Sequence, residues 1–333
     1  MDTLIDSAGW VTRGYAGPKI VALGGGHGLS ATLRALRHVT RQLTAVVTVA
    51  DDGGSSGRLR DELGVLPPGD LRMALSALCD DSEWGLTWRD AMQHRFKSEG
   101  DLDGHALGNL LIVTMWDLLG DSIDGLDWVA RLLGCHGRVL PMAAVPMDIE
   151  ATIVNDGHSS RIHGQSRVAT ARGTVGDVRL IPDDPPVYDE VIEAVRDADA
   201  VVLGPGSWYT SVIPHLLVAP LAQALRETKA RRILVMNLEA QKETEGLSIS
   251  DHMRTIRAYA PDMRFDVVIA DPSVIDDDDD LDRAAKEAGA QVLMRQVRAG
   301  DGSSRHDPLR LAAALRDALE GFLGDVGTSE LDG

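Results

Sequence analysis

The sequence predicts an α/β fold: a Rossmann-like, doubly wound and mostly parallel sheet with a small antiparallel β excursion. Three short apolar runs, Lys19–Leu23, Leu43–Ala50 and Ala200–Leu203, favour this fold. None of them has a helical period, and each ends in a loop rich in glycine or acid, as buried parallel strands do. We assign 18–323 to a single domain, with the excursion at about 138–181. Residues 1–17 are expected to be a disordered extension, and 324–333 a frayed tail.

The first strand leads into Gly24-Gly-Gly-His-Gly28, after which apolar residues recur at helical spacing from Leu29 to Val39. This strand, turn and helix aim free backbone N–H groups and the positive end of a helix dipole at one point. Glycine lets a phosphate approach without a Cβ in the way. The spacing is not that of the dinucleotide fingerprint, and no Gly-Lys-Ser/Thr follows, so a Walker-type loop is excluded. A tight turn without a ligand stays open as an alternative.

The second strand leads into Asp51-Asp-Gly-Gly-Ser-Ser-Gly-Arg-Leu-Arg60. In a doubly wound sheet this loop lies beside the first, where an acid can hold a ribose hydroxyl. Its glycines and serines can form a second anion nest, with Arg58 adding charge. The alternative is a flexible polar turn. Further along, Asp70 suits either the N-cap of a helix running to about Leu78 or a ligand contact.

The segment Trp84–Gly134 reads as largely helical, with a break at Gly100–Gly104. We interpret His105 as a cap or a buried core histidine rather than a catalyst. From Arg138 the pattern changes to alternating runs at 149–154, 165–171 and 178–181, separated by Asp-Gly and Gly-rich turns. This is typical of antiparallel hairpins.

The parallel pattern returns with a helix over Val187–Arg196 and the strand at Ala200, which leads into Gly204-Pro-Gly-Ser-Trp-Tyr-Thr-Ser211. Two glycine loops after parallel strands favour phosphate binding more than one does. Further strands are expected at Ile233–Met236, which leads to Asn237, and at Val267–Ala270. A last helix is expected over Pro308–Leu323.

Composition excludes several classes of protein. The net charge of −18, from 51 acidic and 33 basic residues, repels nucleic acid and anionic membranes. No apolar run is long enough for a membrane span, and the first residues lack a signal peptide pattern, so we expect a cytoplasmic protein. An anionic ligand would need a local group of donors, for which Arg58, Arg60 and Arg72 are the candidates.

No metal site is predicted. Cys79 and Cys135 do not form a CxxC pair and are expected to be reduced thiols. His158 and His163 lack a third ligand at useful spacing. The five acids of Asp276–Asp280 are interpreted as a solvated start to a helix at Leu281 rather than as a cation site.

Six segments together resemble the bacterial gluconeogenesis factor family (YvcK-like, in the CofD-like superfamily). They are Gly24–Ser30, Val49–Arg58, Pro67–Arg72, Gln93–Phe96, Gly104–Asn109 and Gly204–Ser211. The resemblance runs from Lys19 to beyond Asp251. It implies a Rossmann-like, cytoplasmic regulatory protein needed for cell shape and for growth on gluconeogenic carbon. It also implies binding of a uridine diphosphate sugar such as UDP-N-acetylglucosamine, with no required cofactor.

Pattern and resemblance together give the predicted ligand-binding residues: Gly24, Gly25, Gly26, His27, Gly28, Asp51, Asp52, Ser55, Ser56, Arg58, Asp70, Arg72, Asn109, Gly204, Gly206, Ser207, Tyr209, Thr210, Asn237, Glu243 and Thr244. No catalytic residue is assigned. NAD(P) or another nucleotide stays open as the ligand, and so do a cell-wall or cytoskeletal protein partner and a homo-oligomer.

The competing class is an enzyme, since the same superfamily contains the 2-phospho-L-lactate transferase of deazaflavin coenzyme synthesis. That branch has Pro-Asp-Leu-Asp where this chain has Gly69-Asp-Leu-Arg72, so Arg72 stands in place of a carboxylate near the metal. This difference favours binding over transfer. A nicotinamide-dependent oxidoreductase ranks third, because no hydride-acceptor site is evident.

Overall fold

A computed structural model describes residues 4–5, 11–12, 17–155, 157–240 and 242–322. Within 1–17 it describes a short antiparallel ribbon of β1 (Leu4–Ile5) and β2 (Val11–Thr12). The rest of the predicted extension, apart from Gly17, and the predicted tail lie outside the described residues. The single-domain assignment stays a prediction, although the buried apolar side chains form one contiguous cluster from Ile20 to Ala318.

The main sheet has seven strands, all parallel, which confirms the predicted fold class. In chain order they are β3 (Lys19–Gly24), β4 (Gln42–Val47), β5 (Arg138–Pro141), β9 (Ala200–Leu203), β10 (Arg231–Val235), β11 (Val267–Ala270) and β12 (Gln291–Met294). Their order across the sheet is β12-β11-β10-β9-β3-β4-β5. The chain therefore runs outward from β3 through β4 to β5, and returns to the other side of β3 at β9. This reversal between β3 and β9 is the kind of switch point where open α/β sheets bind ligands.

A second, antiparallel sheet is formed by β6 (Asp148–Asn155), β7 (His158–His163) and β8 (Thr174–Ile181), in the order β7-β6-β8. Two predictions about this region are wrong. Arg138–Pro141 belongs to the main sheet, so the excursion begins at Asp148. The run at 165–171, predicted as a strand, contains the helix α7 (Gln165–Ala169). The start of α7 is held by a residue far away in the sequence, because the Ser166 amide donates a hydrogen bond to the Asp52 carboxylate at 2.8 Å.

The other helices are α1 (Gly26–Leu36), α2 (Gly54–Leu63), α3 (Pro68–Leu78), α4 (Glu83–Gln93), α5 (Leu107–Leu119), α6 (Ser122–Leu133), α8 (Asp189–Arg196), α9 (Pro214–Leu217), α10 (Ala219–Glu227), α11 (Ile249–Tyr259), α12 (Asp278–Glu287) and α13 (Pro308–Glu320). Side-chain caps fix several starts: Asp277 and Asp307 accept amide hydrogens of the first turns of α12 and α13. A π-helical turn, Trp208–Val212, precedes α9, and a short 3₁₀ turn spans Lys242–Thr244.

Three further predictions are corrected by these bounds. The loop predicted for Asp51–Arg60 becomes helical at Gly54, since α2 begins there. Asp70 is not an N-cap, because α3 begins at Pro68 and the residue before it, Pro67, has no side-chain capping bond. The last helix ends at Glu320 rather than Leu323.

Several interpretations of single residues are confirmed. Cys79 and Cys135 are free thiols. His105 is a buried core histidine whose Nδ1 lies 3.0 Å from Ser55 Oγ. The acids before Leu281 form the start of α12. Across the described ranges, every helix is too short or too polar to cross a bilayer.

Candidate functional site

The glycine turn after β3 presents backbone amides at the switch point. α1 begins at Gly26, which has a φ of +53°, a conformation that favours glycine. The Gly26 amide donates to the carboxylate of Asp70. The amides of His27 and Gly28 follow in the first turn, where N–H groups have no acceptor within the helix. These two amides and the dipole of α1 can therefore receive an anion.

The turn after β3 and the turn after β9 are in direct contact. A Cβ placed on Gly28 would lie 2.6 Å from Gly206 Cα and closer still to the Pro205 carbonyl oxygen. The hydroxyl of Thr32, on the buried side of α1, donates to the Gly204 carbonyl at 2.8 Å. The loops after β3 and β9 are thus held in direct contact at this edge of the sheet.

A reciprocal pair fixes the loop after β9 to the end of β10. The Gly206 amide donates to Asn237 Oδ1 at 2.8 Å, and Asn237 Nδ2 donates to the Gly206 carbonyl at 2.8 Å. Gly206 was predicted to bind the ligand, but its amide is used for Asn237. The amides of His27 and Gly28 in the first turn of α1 therefore stay the candidates for receiving an anion.

A cleft of about 760 Å³ opens in front of the α1 amides. Of the predicted residues, it is lined by His27, Gly28, Gly206 and Asn237. Its other lining residues are Ser30, Ala31, Arg34, Met73, Arg89, Asp90, Gln93, Pro205, Leu238, Glu239, Ala240, Ala299, Ser304, Arg305, His306, Asp307 and Pro308. Its volume lies in the range that nucleotide-sized ligands use, on the order of 300–1,000 Å³.

The wall opposite α1 is the loop before α13. Arg305 forms an ion pair with Asp301 at 2.7 Å, and Asp307 caps α13. Burial lowers the pKa of His306 to about 4, so this histidine is neutral at pH 7. Its Nε2 is buried and has no hydrogen-bond partner among the described residues.

Two carboxylates lie behind the glycine turn. Burial, followed by the nearby charge of Asp51, raises the pKa of Asp70 to about 7, although the hydrogen bond from Gly26 acts in the opposite direction. Burial also raises the pKa of Asp51, against hydrogen bonds from Gly53 and Ser56. Near pH 7 a large fraction of Asp70 is therefore protonated, which reduces the negative charge facing the turn.

Arg72 is held by neutral groups rather than by these acids. Its Nε donates to Asn109 Oδ1 at 2.8 Å, and its Nη1 donates to Gln93 Oε1. Burial lowers the pKa of Arg72 to about 10, and the residue still carries its charge at pH 7. The guanidinium is therefore fixed in place and lies within electrostatic range of Asp70 and Asp51.

The polar residues of the second loop are used to hold the fold together. Ser55 Oγ accepts hydrogen bonds from the Ala106 amide and Asn109 Nδ2, and Ser56 Oγ accepts one from the Gly69 amide at 2.8 Å. Both terminal nitrogens of Arg58 donate to carbonyl oxygens of the 100–104 loop. Their assignment to a ligand stays a prediction, and these contacts give each of them a structural role.

Glu243 closes the other side of the loop after β9. Its Oε1 accepts from Ser207 Oγ at 2.6 Å and from the Tyr209 amide at 3.1 Å, while Thr210 Oγ1 also bonds to Ser207. The carboxylate thus occupies the start of the π-helical turn, where an anion would otherwise bind. Thr244 is buried beside it.

Sequence reasoning missed most of the cleft wall. Arg34, Arg89 and Arg305 lie on α1, α4 and the loop before α13, far apart in the chain. Arg34 and Arg89 lie within helices, and Arg305 follows β12, a strand that the sequence did not predict, so the rule that found the glycine loops could not find them. A weaker signal was present at 305–308, where the sequence Arg-His-Asp-Pro combines two polar groups with a helix start.

Comparison with known proteins gives consistent results. The family described as "CofD: 2-phospho-L-lactate transferase CofD" matches residues 20–301. A protein of Mycobacterium tuberculosis named "Putative gluconeogenesis factor" is 49% identical over 319 residues, covering 93% of this chain and 92% of its own length. The "Gluconeogenesis factor" of Bacillus subtilis is 34% identical, covering 91% of this chain and 98% of its own length.

Among solved structures, a member of the UPF0052 family from Bacillus halodurans superimposes with a TM-score of 0.82 at 34% identity. The match covers 91% of this chain and all of the other one. The architecture described above is therefore shared over nearly the whole of both chains.

Proposed function

The chain belongs to the gluconeogenesis factor family within the CofD-like proteins, and from this premise we propose that it binds a uridine diphosphate sugar and acts as a cytoplasmic regulator. The observation that supports the proposal most is the pair of amides at His27 and Gly28. They lie at the switch point between β3 and β9 and face a cleft of about 760 Å³.

The diphosphate is placed at these amides because the bulk of the surface repels anions. With a net charge of −18, attraction must come from local groups. The start of α1 supplies backbone donors and a dipole, and Arg34, Arg89 and Arg305 add positive charge to the cleft walls. Ser30, Gln93 and Ser304 also line the cleft and carry polar side chains that can bind a sugar or a base.

Regulation of cell shape and of growth on gluconeogenic carbon is part of the same proposal. In this role the ligand would act as a signal of nucleotide-sugar supply, and a cell-wall or cytoskeletal protein would read the bound state. The support for it is the family alone, because the described residues identify no partner surface.

The experiment is a calorimetric titration with UDP-N-acetylglucosamine, together with a variant that fills the cleft. Ala31 lines the cleft one turn beyond Gly28 on α1, so Ala31→Trp obstructs the cleft and leaves the glycine turn unchanged. We expect an affinity loss of at least about tenfold, equal to roughly 1.4 kcal/mol. Gln223→Trp, on an exposed position of α10, is the matched control and should bind normally. Equal affinity in both variants would place the ligand elsewhere.

A second candidate, phospholactate transfer, is favoured by one observation. The charge of Asp51 contributes to the raised pKa of Asp70, so the two carboxylates are close, and two such carboxylates beside a phosphate site can share a divalent cation. Against this, the charged guanidinium of Arg72 is within electrostatic range of both acids. A cation placed near it would be repelled by several kcal/mol in a partly desolvated site. Binding without transfer is therefore the function we propose.

A further inference from the structure

A second cavity, of about 420 Å³, lies beside the cleft, and we call it the arginine arm. It is lined by Arg34, Arg37, His38, Ser76, Ala77, Cys79, Asp81, Arg89 and Pro308. Arg34, Arg89 and Pro308 line both the cleft and the arginine arm. The cleft and the arm are therefore adjacent.

Arg34 is the unpaired charge of the arginine arm. Among the described residues it has neither an ion-pair partner nor a hydrogen-bond acceptor. Each of the three arginines near it is paired: Arg37 with Asp81 at 3.0 Å, Arg89 with Asp90 at 3.0 Å, and Arg305 with Asp301 at 2.7 Å. Within this group of four arginines, Arg34 is therefore the member whose charge is not balanced by an acid.

The positive charges around Arg34 repel one another, and a bound anion would remove this repulsion. Partial burial, followed by the charges of Arg89, Arg37 and Arg305, lowers the pKa of Arg34. The guanidinium keeps its proton near neutral pH, so the like charges repel one another instead. A bound carboxylate or phosphate group replaces this repulsion by charge-assisted hydrogen bonds.

A buried hydroxyl provides an independent observation. Ser76 is 3% exposed, it lines the arginine arm, and its Oγ has no hydrogen-bond partner among the described residues. The same is true of the Nε of Arg37. Buried polar groups are normally hydrogen-bonded, so the wall of the arm contains two enclosed donors whose hydrogen bonds are not made among the described residues.

The position of the arm relative to the diphosphate follows from helix geometry. Arg34 lies six positions beyond Gly28 on α1, which is a rise of about 9 Å, and its side chain leans back towards the start of the helix. An acceptor in the arm is therefore a neighbouring group of the same ligand rather than the diphosphate itself.

We propose that the arginine arm binds a second anionic group of the ligand, a carboxylate or phosphate in addition to the diphosphate. This inference rests on the proposed function, because the diphosphate at α1 sets the distance. Two sources of that group share this chemistry: a carboxylate on the sugar, as in a uronic acid, or a phosphate on a ribose.

The experiment compares two pairs of nucleotides by calorimetry: UDP-glucose with UDP-glucuronate, and NAD with NADP. Each pair differs by a single anionic group. With the wild-type protein we expect the charged member of one pair to bind about tenfold more tightly, which is the effect of one well-placed charged hydrogen bond. The pair that shows the preference identifies the source of the group.

The variant Arg34→Gln should reduce this preference to about twofold or less. Arg41→Gln is the matched control, since Arg41 is an exposed arginine that precedes β4 at the opposite edge of the sheet. It removes the same charge from the protein, and it should keep the full preference.

Two results overturn the inference alone: equal affinities within both pairs, or an Arg34→Gln variant that weakens both members of a pair by the same factor. The second result would assign Arg34 to the diphosphate. Failure of all four nucleotides to bind overturns the proposed function, and this inference with it.

Discussion

Replacing Gly28 with alanine should separate the two loops on which the site depends. The added Cβ would lie 2.6 Å from Gly206 Cα and closer to the Pro205 carbonyl group, and all of these atoms belong to the backbone. A flexible side chain could move aside, but here β3 and β9, which are paired in register from Ile20 to Leu23, must shift apart.

The expected cost is at the upper end of the range for overpacking, about 3 kcal/mol or more. That is a large share of the roughly 5–15 kcal/mol that stabilises a typical protein. Alanine substitutions at two other glycines serve as comparisons for the expected loss of stability. At Gly26 the nearest atom to an added Cβ is Asp70 Oδ1 at 3.8 Å, so only the φ of +53° is unfavourable, at about 1–2 kcal/mol. Gly100 has no atom within 4 Å, and alanine there should change stability by less than about 0.5 kcal/mol.

The assay is urea unfolding of the three variants beside the wild type, followed by titration with UDP-N-acetylglucosamine where the protein is folded. We expect the order of damage to be Gly28→Ala, then Gly26→Ala, then Gly100→Ala. A Gly28→Ala protein within 1 kcal/mol of Gly100→Ala would refute the close contact of the two loops.

Two further predictions concern the acids behind the turn. Burial raises the pKa of Asp70 to about 7 from the usual 3.8, so between these values the folded protein holds a proton that the unfolded chain has lost. Stability therefore falls as pH rises through this window, and Asp70→Asn should remove on the order of 2–4 kcal/mol of that fall when unfolding is measured at pH 5 and pH 8. In addition, UDP-N-acetylglucosamine binding should persist in EDTA with no turnover over hours. Strict dependence on Mg²⁺, or transfer of phospholactate to a deazaflavin acceptor, would make the transferase the better assignment.

The parallel sheet was predictable because its central strands are buried on both faces. Ala200–Leu203 and Val267–Ala270 are continuous apolar runs with polar ends, and the structure has the same bounds. Edge strands lack this signal. β12, at Gln291–Met294, has exposed residues at both ends and pairs only with β11, so its sequence does not distinguish it from a loop.

The errors within the chain share a physical cause, which is that distant contacts decided the local structure. α7 is five residues long, too short to be stable alone, and its first turn is held by Asp52. Asp70 resembled a cap in sequence, but its carboxylate accepts the Gly26 amide instead. Local patterns could indicate that these residues are polar and placed near turns, yet they could not indicate which partner each would take.

The positive charge of the site was not predictable from the sequence either. Composition gave a strongly acidic protein, and the nearest sequence cluster of arginines was at 58–72. In the structure Arg58 and Arg60 are bonded to backbone carbonyls and to Asp148, and Arg72 is bonded to two amides. The positive charge at the cleft comes instead from residues that only the fold brings together. Because Arg34 has no acid beside it, its full charge is available to a ligand at short range, while the acidic remainder of the surface repels other anions. Under the proposal, selectivity for one anionic ligand follows from the position of the Arg34 charge in the arginine arm rather than from the overall charge.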